Sequence, residues 1–213
     1  MSLPVLYIGN RRFSSWSLRA WLVLQKSGIE FETRLIPLNE GETRSAISEI
    51  SPGGTVPALH TADGVIWDSL AICEWAAERK PDLWPAQDML RARARAAVSS
   101  MHAGFLSLRE HCPMDLCREG VYKDLDDVTQ MDIAVMQALW HDVMTPAGEF
   151  MFGEWSIADA FFTPVASRFR SYAVELHSEA QSYCDTLLSE KDYLDWHSKA
   201  QLEDYTNPYE NPL

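Results

Sequence analysis

Residues 55–69 constrain the fold of this chain more than any other segment. They begin with Thr55, Val56 and Pro57, run through two short apolar stretches separated by a glycine turn, and end with Asp68 and Ser69. Because proline cannot donate a hydrogen bond to a sheet, Pro57 is expected at the first residue of a strand. The segment therefore predicts two short strands joined by a turn, followed directly by a helix.

The two ends of this segment are suited to hold an extended peptide that carries a carboxylate. A cis bond between Val56 and Pro57 would leave the backbone N–H and C=O of Val56 free to pair with the peptide as an added strand. At the helix start, unpaired N–H groups, the helix dipole and the Ser69 hydroxyl favour a carboxylate. The alternative is that Asp68 or Ser69 only caps the helix, as both residue types routinely do.

The order of the other patterns in the first part of the chain predicts a mixed sheet. Residues 5–8 and 31–36 have the pattern of strands, and a helical pattern over 17–26 lies between them. A weaker helix over 43–49 precedes the two strands described above, and a helix over 69–79 follows them. This β-α-β then α-β-β-α order is the thioredoxin-like arrangement.

Only helical patterns follow a proline-containing linker at 80–85. The predicted helices cover 88–111, 124–145, 156–173, 177–189 and 191–203, with breaks at Pro113, Pro146 and Gly148. The fold prediction is an α/β thioredoxin-like N-terminal domain over 1–80, followed by an all-α helical domain over 88–213. Residues 207–213 are too rich in proline and asparagine to stay helical and are expected to lie over the surface.

Composition and charge argue against several kinds of partner. The formal net charge of -13 and the isoelectric point near 4.8 would repel phosphate backbones and anionic lipid, so nucleic acid is not an expected partner. No apolar run approaches the roughly 20 residues of a membrane span, and the first residues lack the regions of a signal peptide. We therefore expect a cytoplasmic protein with no membrane partner.

The cysteines and histidines show no redox or metal pattern. Cys73, Cys112, Cys117 and Cys184 form no C-x-x-C pair, and no histidine cluster stands at zinc spacing. We expect free thiols and no metal site. The six histidines share no motif, and each is more easily explained as structural than as catalytic.

Three segments share their order and spacing with a known family. They are the serine-bearing helix start at 13–22, the strand pair and helix at 51–72, and the stretch Phe-Gly-Glu-Trp-Ser-Ile-Ala-Asp-Ala at 152–160. Together they resemble the glutathione transferase superfamily, in particular its bacterial serine-type, zeta-like or related members. The resemblance implies a homodimeric detoxification enzyme that takes glutathione as co-substrate and adds its thiolate to a small electrophile.

The same resemblance implies two alternatives. One is glutathione-dependent isomerisation of the maleylacetoacetate type, and the other is a non-catalytic interaction module with this fold. Disulfide exchange would need a cysteine where Ser14 or Ser15 stands, so that reaction is not expected. Reduction of peroxides by bound glutathione needs no protein cysteine and stays open.

The resemblance also assigns roles to residues of the candidate site. Ser14, or its neighbour Ser15, would donate a hydrogen bond to the glutathione sulfur and so favour the thiolate. Taken by themselves, both serines are ordinary helix-capping residues. The residues that would bind the rest of glutathione are Val56, Pro57, Asp68 and Ser69.

The second domain is expected to supply the pocket for the electrophile. Met101, Phe105 and Arg109 recur at helical spacing on the inward face of the predicted helix 88–111. Arg109 would bind an anionic group of the substrate there, and the alternative is a solvated or ion-paired helix residue. Trp16 is either a wall of the site or a core aromatic.

A separate motif in the second domain concerns folding. Ser156 and Asp159 have the spacing of a capping box with Asp in place of Glu, so they can satisfy backbone donors at a helix start. Because the helix that follows is apolar on most sides, its start should be buried, and backbone N–H groups left there without hydrogen bonds would lower the stability of the fold. Replacing Asp159 with alanine is expected to reduce stability and to spare the site chemistry.

Overall fold

The first part of the chain forms a mixed sheet of four strands with three helices. The computed structural model describes residues 2–38, 41–145 and 148–205. The strands are β1 Val5–Ile8, β2 Glu32–Leu35, β3 Ala58–Thr61 and β4 Gly64–Trp67. The helices are α1 Ser15–Ser27, α2 Thr43–Ile50 and α3 Ser69–Ala77. The sheet order is β2-β1-β3-β4; β1 pairs in parallel with β2, and β3 pairs antiparallel with β1 and β4. This is the thioredoxin-like arrangement that the sequence predicts.

The second part is helical, as predicted. After a 3-10 turn at Pro81–Leu83, the helices are α4 Asp88–Ala103, α5 Leu106–His111, α6 Asp127–Val143, α7 Ile157–Ser171, α8 Ser178–Ser189 and α9 Lys191–Ala200. The prediction of one continuous helix over 88–111 is wrong. Gly104 has extended backbone angles, with φ -107° and ψ -167°, and Phe105 is left-handed, with φ 58°. These two residues separate α4 from α5.

Helix α1 lies where the sheet part and the helical part meet. It packs against α3 of the first part and against α7 and α9 of the second. Ser14 caps its start, and Gly28 ends it in a left-handed conformation, with φ 73°, by donating its N–H to the Gln25 carbonyl. Because neighbours cover the helix on several sides, even the charged side chain of Arg19 has no exposed surface.

Helix α7 is buried along nearly its whole length, and its predicted capping box is confirmed. One oxygen of the buried Asp159 carboxylate accepts hydrogen bonds from the backbone N–H of Ser156 at 2.8 Å and from its hydroxyl at 3.0 Å. The other oxygen accepts from the Met151 N–H at 3.1 Å and from the Tyr183 hydroxyl at 2.8 Å. Asp159 therefore joins the loop before α7, the start of α7 and helix α8.

Three further expectations concern membrane-spanning helices, the break at Pro146 and the last residues of the chain. Among the described residues, every helix is too short or too polar to cross a membrane. The predicted break at Pro146 and the stretch 207–213 lie outside the described residues.

Candidate functional site

The candidate site lies where strands β1, β3 and β4 meet the starts of α1 and α3. Strand β3 runs antiparallel to both of its neighbours, so its beginning lies beside the ends of β1 and β4. Extending the strand register by two residues places Val56 level with Gly9, just before α1, and with Ser69, at the start of α3. The Val56–Pro57 peptide bond is cis, and Pro57 is buried. The structure thus brings together the segments that the sequence pattern singled out.

The start of α3 leaves one buried hydroxyl without a partner. Asp68 is left-handed in φ, at 77°, and its Oδ1 accepts hydrogen bonds from the N–H groups of Leu70 at 2.8 Å and Ala71 at 3.2 Å. Asp68 is therefore the cap of α3. Ser69, the first residue of α3, is 1% exposed, and its Oγ has no hydrogen-bond partner among the residues that the structure describes. Since buried polar groups are normally hydrogen-bonded, this hydroxyl is suited to meet a ligand.

The two serines at the start of α1 have different hydrogen-bond partners. The Ser14 oxygen accepts from the Ser17 N–H at 3.3 Å, and the Ser14 hydroxyl donates to the Ser17 Oγ at 2.8 Å. Ser14 is thus the cap of α1, with its hydrogen used inside the protein. The Ser15 oxygen accepts a hydrogen bond from Arg168 Nη2 at 3.3 Å, which leaves the Ser15 hydrogen to be donated elsewhere.

A histidine of the helical part reaches the same place. His102, in the last turn of α4, has its Nε2 3.4 Å from Oδ2 of Asp68. Its ring meets the Trp16 ring edge-on, with the ring centroids 5.1 Å apart. Sequence reasoning missed His102, because nothing in the local pattern distinguishes it from the other histidines.

The three residues predicted for the electrophile pocket lie around the break after α4. Met101 is completely buried, and Phe105 is half-buried at the break itself. Arg109 donates from Nε to the Gly104 carbonyl at 3.0 Å and from Nη2 to the carbonyls of His102, at 3.3 Å, and Met101. Arg109 therefore supplies hydrogen bonds to the backbone carbonyls at the end of α4. Burial lowers its pKa.

Trp16 lies among charged and aromatic side chains of α1, α4 and α5. It is half-buried, and the guanidinium carbon of Arg109 lies 4.8 Å from its ring centroid. The guanidinium carbon of Arg19 lies 4.5 Å from the same ring and 4.8 Å from the ring of Phe161. The Trp16 ring thus contacts cations of α1 and α5, and it lies nearly perpendicular to the ring of His102.

Arg19 is the second residue that sequence reasoning missed. None of its side-chain nitrogens has a hydrogen-bond partner within the described part of the chain. Burial, followed by the nearby charges of Arg109 and Arg168, lowers its pKa well below the ordinary value. The available signal was an arginine inside the otherwise apolar run 18–24, where a fully buried helix would carry no charge without a reason.

The four cysteines are free thiols, as predicted, and Cys117 is exposed while the others are buried. Burial raises the pKa of Cys73 and of Cys112. Within the described ranges, no group of three or more His, Cys, Asp or Glu side chains is arranged to hold a metal ion.

Comparison with known proteins identifies the family. Residues 13–79, which contain the starts of both α1 and α3, match the family described as glutathione S-transferase, N-terminal domain. These residues belong to that family of N-terminal domains. The cis bond before β3 and the start of α3, with Asp68 and Ser69, lie within the matched residues.

Individual relatives of the superfamily match parts of the chain. A segment of 107 residues is 38% identical to a probable maleylacetoacetate isomerase of Caenorhabditis elegans and covers 49% of each protein. A segment of 130 residues is 28% identical to glutathione S-transferase theta-1 of Homo sapiens, over 59% of this chain and 43% of that protein. The chain thus spans about half the length of the first of these curated relatives and less of the second.

The solved structures show the same fold. A glutathione transferase homolog from Burkholderia gl BGR1, solved with bound glutathione, is 21% identical and has a TM-score of 0.75. The comparison covers 95% of this chain and 100% of that one. Both the sheet part and the helical part therefore have their counterparts in a member of the superfamily.

Proposed function

We propose that the protein is a glutathione transferase that binds glutathione between the starts of α1 and α3 and adds its sulfur to a small electrophile. The observation that carries the proposal is the buried Ser69 hydroxyl, which has no partner among the described residues. The glutamyl carboxylate of glutathione would accept its hydrogen bond and face the positive end of the α3 dipole. The backbone of Val56, with Pro57 behind it, would pair with the extended peptide as an added strand.

Ser15 is the better placed of the two serines to donate to the glutathione sulfur. The hydrogen of Ser14 already belongs to a bond with Ser17, whereas Ser15 receives a hydrogen bond from Arg168 and keeps its own hydrogen to donate. We therefore assign the sulfur contact to Ser15 and the helix cap to Ser14. Both stand at the positive end of the α1 dipole, which favours thiolate over thiol.

Thiol ionisation alone would accelerate the reaction only modestly. Lowering a thiol pKa from about 8.5 to about 6.5 raises the thiolate fraction at neutral pH roughly 25-fold. The lower basicity costs up to nearly tenfold in nucleophilicity, because the Brønsted slope is about 0.4 to 0.5. The net gain is about threefold, so holding the electrophile beside the sulfur must supply the larger share.

The atoms of the reaction balance without a metal or a redox cofactor. The thiol proton passes to solvent, and a sulfur lone pair forms the new carbon–sulfur bond. In a substitution, the bond to the leaving group breaks and its electron pair departs with that group. Half-buried Trp16 and Phe105 would form walls for the electrophile. A detoxification role in the cytoplasm belongs to the same proposal.

The second candidate function is glutathione-dependent isomerisation, favoured by the 38% identity to the probable maleylacetoacetate isomerase. There the thiolate would add to a carbon–carbon double bond, the resulting single bond would rotate, and the thiolate would leave again. The same glutathione half-site serves both reactions. Isomerisation consumes no glutathione, so titrating free thiols during turnover separates the two.

A second copy of the chain is the proposed protein partner. Four large apolar side chains on α5 and α6 are strongly exposed: Leu106 at 70%, Val128 and Met131 at 63%, and Val135 at 48%. Val128, Met131 and Val135 stand at helical spacings that put them on one face of α6. An exposed apolar face of this kind is typical of a subunit interface, and the superfamily resemblance supports a homodimer.

Calorimetry with a matched pair of serine variants tests the proposal. We expect the native chain to bind glutathione and Ser69→Ala to weaken binding about tenfold or more, because a hydrogen bond to a charged group is lost. The control is Ser178→Ala: Ser178 is the first residue of α8, as Ser69 is of α3, but it is exposed. Absence of binding by the native chain would overturn the proposal and favour the non-catalytic interaction module.

A further inference from the structure

We propose that Arg19 is a positioning residue whose buried positive charge favours the thiolate of bound glutathione without touching the sulfur. The inference rests on the proposed glutathione site. Arg19 lies four residues after Ser15 on α1, about one helical turn beyond the hydroxyl that is proposed to contact the sulfur. It belongs to the same short helix whose start forms the site.

The charge of Arg19 is not neutralised by a partner in the described part of the chain. Its three guanidinium nitrogens make no hydrogen bonds there, and no described carboxylate lies within ion-pair distance of them. Its contacts are the faces of Trp16 and Phe161, at 4.5 and 4.8 Å. Aromatic faces attract a cation but carry no net charge, so the field of the guanidinium extends to its surroundings.

Burial makes that field strong at the start of α1. Arg19 has no exposed surface, so little water lies between the guanidinium and the first turn of the helix. Charges interact more strongly through such a medium than through solvent. Guanidinium groups stay protonated in proteins even where burial lowers their pKa.

The surrounding titratable groups do not cancel the effect. The groups that act on Arg19 or line the same space are Cys73 and Asp68 near α3, His102 on α4, Arg109 on α5 and Arg168 on α7. Burial raises the pKa of Cys73, so that thiol is neutral at physiological pH. Asp68 is the single acid in the set, and it is partly exposed and engaged with His102 and the start of α3. The balance of charge behind the sulfur position is positive.

The size of the effect follows from the separation. At an effective dielectric constant of about 20, one positive charge that lies about 8 to 12 Å from a thiol lowers its pKa by about 1 to 1.5. Removing the charge should therefore change the ionisation constant of the bound thiol about 10- to 30-fold.

The test is a pH titration of the ultraviolet thiolate absorbance of glutathione bound to the native chain and to variants. Arg19→Met, which keeps much of the length but not the charge, should raise the pKa of the bound thiol by about 1 to 1.5, and Arg19→Lys should raise it by less than about 0.5. The matched control is Arg170→Met. Arg170 also contacts an aromatic ring, that of Tyr193, but it does so where α7 meets α9. It should leave the pKa unchanged.

An identical pKa of the bound thiol in the native chain and in Arg19→Met would overturn the inference. If Arg19→Met also bound glutathione more weakly at every pH, Arg19 would be a packing residue only. If the native chain binds no glutathione, the proposed function fails, and the inference fails with it.

A second variant keeps the test available if Arg19→Met does not fold. Cys73→Asp would place a carboxylate in the electrostatic surroundings of Arg19 and neutralise its charge while keeping the guanidinium. It should raise the pKa of the bound thiol in the same direction. An unchanged pKa in a folded Cys73→Asp variant would contradict the inference.

Discussion

Replacing Asp159 with alanine would remove an acceptor that four donor groups of the helical part share. The carboxylate is fully buried and accepts hydrogen bonds from two groups of Ser156, from the Met151 N–H and from the Tyr183 hydroxyl. Each buried donor left without an acceptor costs about 1 to 3 kcal/mol. Relief of the buried carboxylate, whose pKa burial raises, offsets part of that cost. We expect a net loss of about 3 to 5 kcal/mol in the free energy of unfolding.

Urea denaturation followed by circular dichroism measures this loss. The control is Asp185→Ala, because the exposed Asp185 carboxylate on α8 accepts only a side-chain hydrogen bond from Gln181, at 2.9 Å, among the described residues. That variant should change stability by less than about 0.5 kcal/mol. A loss below about 1 kcal/mol for Asp159→Ala would refute the reasoning, and a stable Asp159→Ala variant that no longer binds glutathione would show a role in the site.

Three further outcomes are expected. Ser15→Ala should raise the pKa of the bound thiol in a thiolate titration, whereas Ser14→Ala should lower stability in a thermal melt by about 1 kcal/mol, as loss of a helix cap does; the opposite pattern would exchange their roles. Burial raises the pKa of Asp159 in the folded chain above the ordinary value of 3.8. As pH rises, the unfolded chain therefore loses the Asp159 proton before the folded chain does. The free energy of unfolding should then fall between pH 3.8 and the raised pKa of the folded chain. Urea denaturation at several pH values should show that Asp159→Asn removes this slope, and an unchanged slope would assign it to another group. Val135→Glu should convert a dimer into a monomer in light scattering, and a native monomer would contradict the proposed interface.

The sheet part could be predicted because its signals are local. Pro57 cannot stand inside a ladder, the pair Asp68 and Ser69 marks a helix start, and Gly28 ends a helix in a conformation that other residues avoid. Each of these effects is decided by the residue and its immediate neighbours, so no knowledge of tertiary contacts was needed.

The break after α4 could not be predicted in the same way. A single glycine inside a helical pattern costs only about 1 kcal/mol relative to alanine, so Gly104 alone does not argue for a break. The carbonyls that the break leaves unpaired are satisfied by Arg109, which lies beyond it. That compensation is a tertiary contact, and the regular spacing of Met101, Phe105 and Arg109 conceals it.

The residues of the candidate site also differ in whether local sequence signals or tertiary contacts decide their positions. The positions of Val56 and Ser69 could be predicted because they follow from the start of a strand and the start of a helix, and their roles in binding glutathione stay predictions. His102 and Arg19 were missed because their positions depend on how α4, α1 and α7 pack against one another. Of the two, only Arg19 left a trace in the sequence, as a charge within an apolar run.

The measurement that tests the central claim most directly is the pH titration of thiolate absorbance when glutathione is added to the native chain. We predict a new thiolate signal with a midpoint well below the value of about 8.5 that is ordinary for a free thiol. A midpoint equal to that of free glutathione, with binding established by calorimetry, would contradict the claim that the start of α1 holds glutathione as a thiolate.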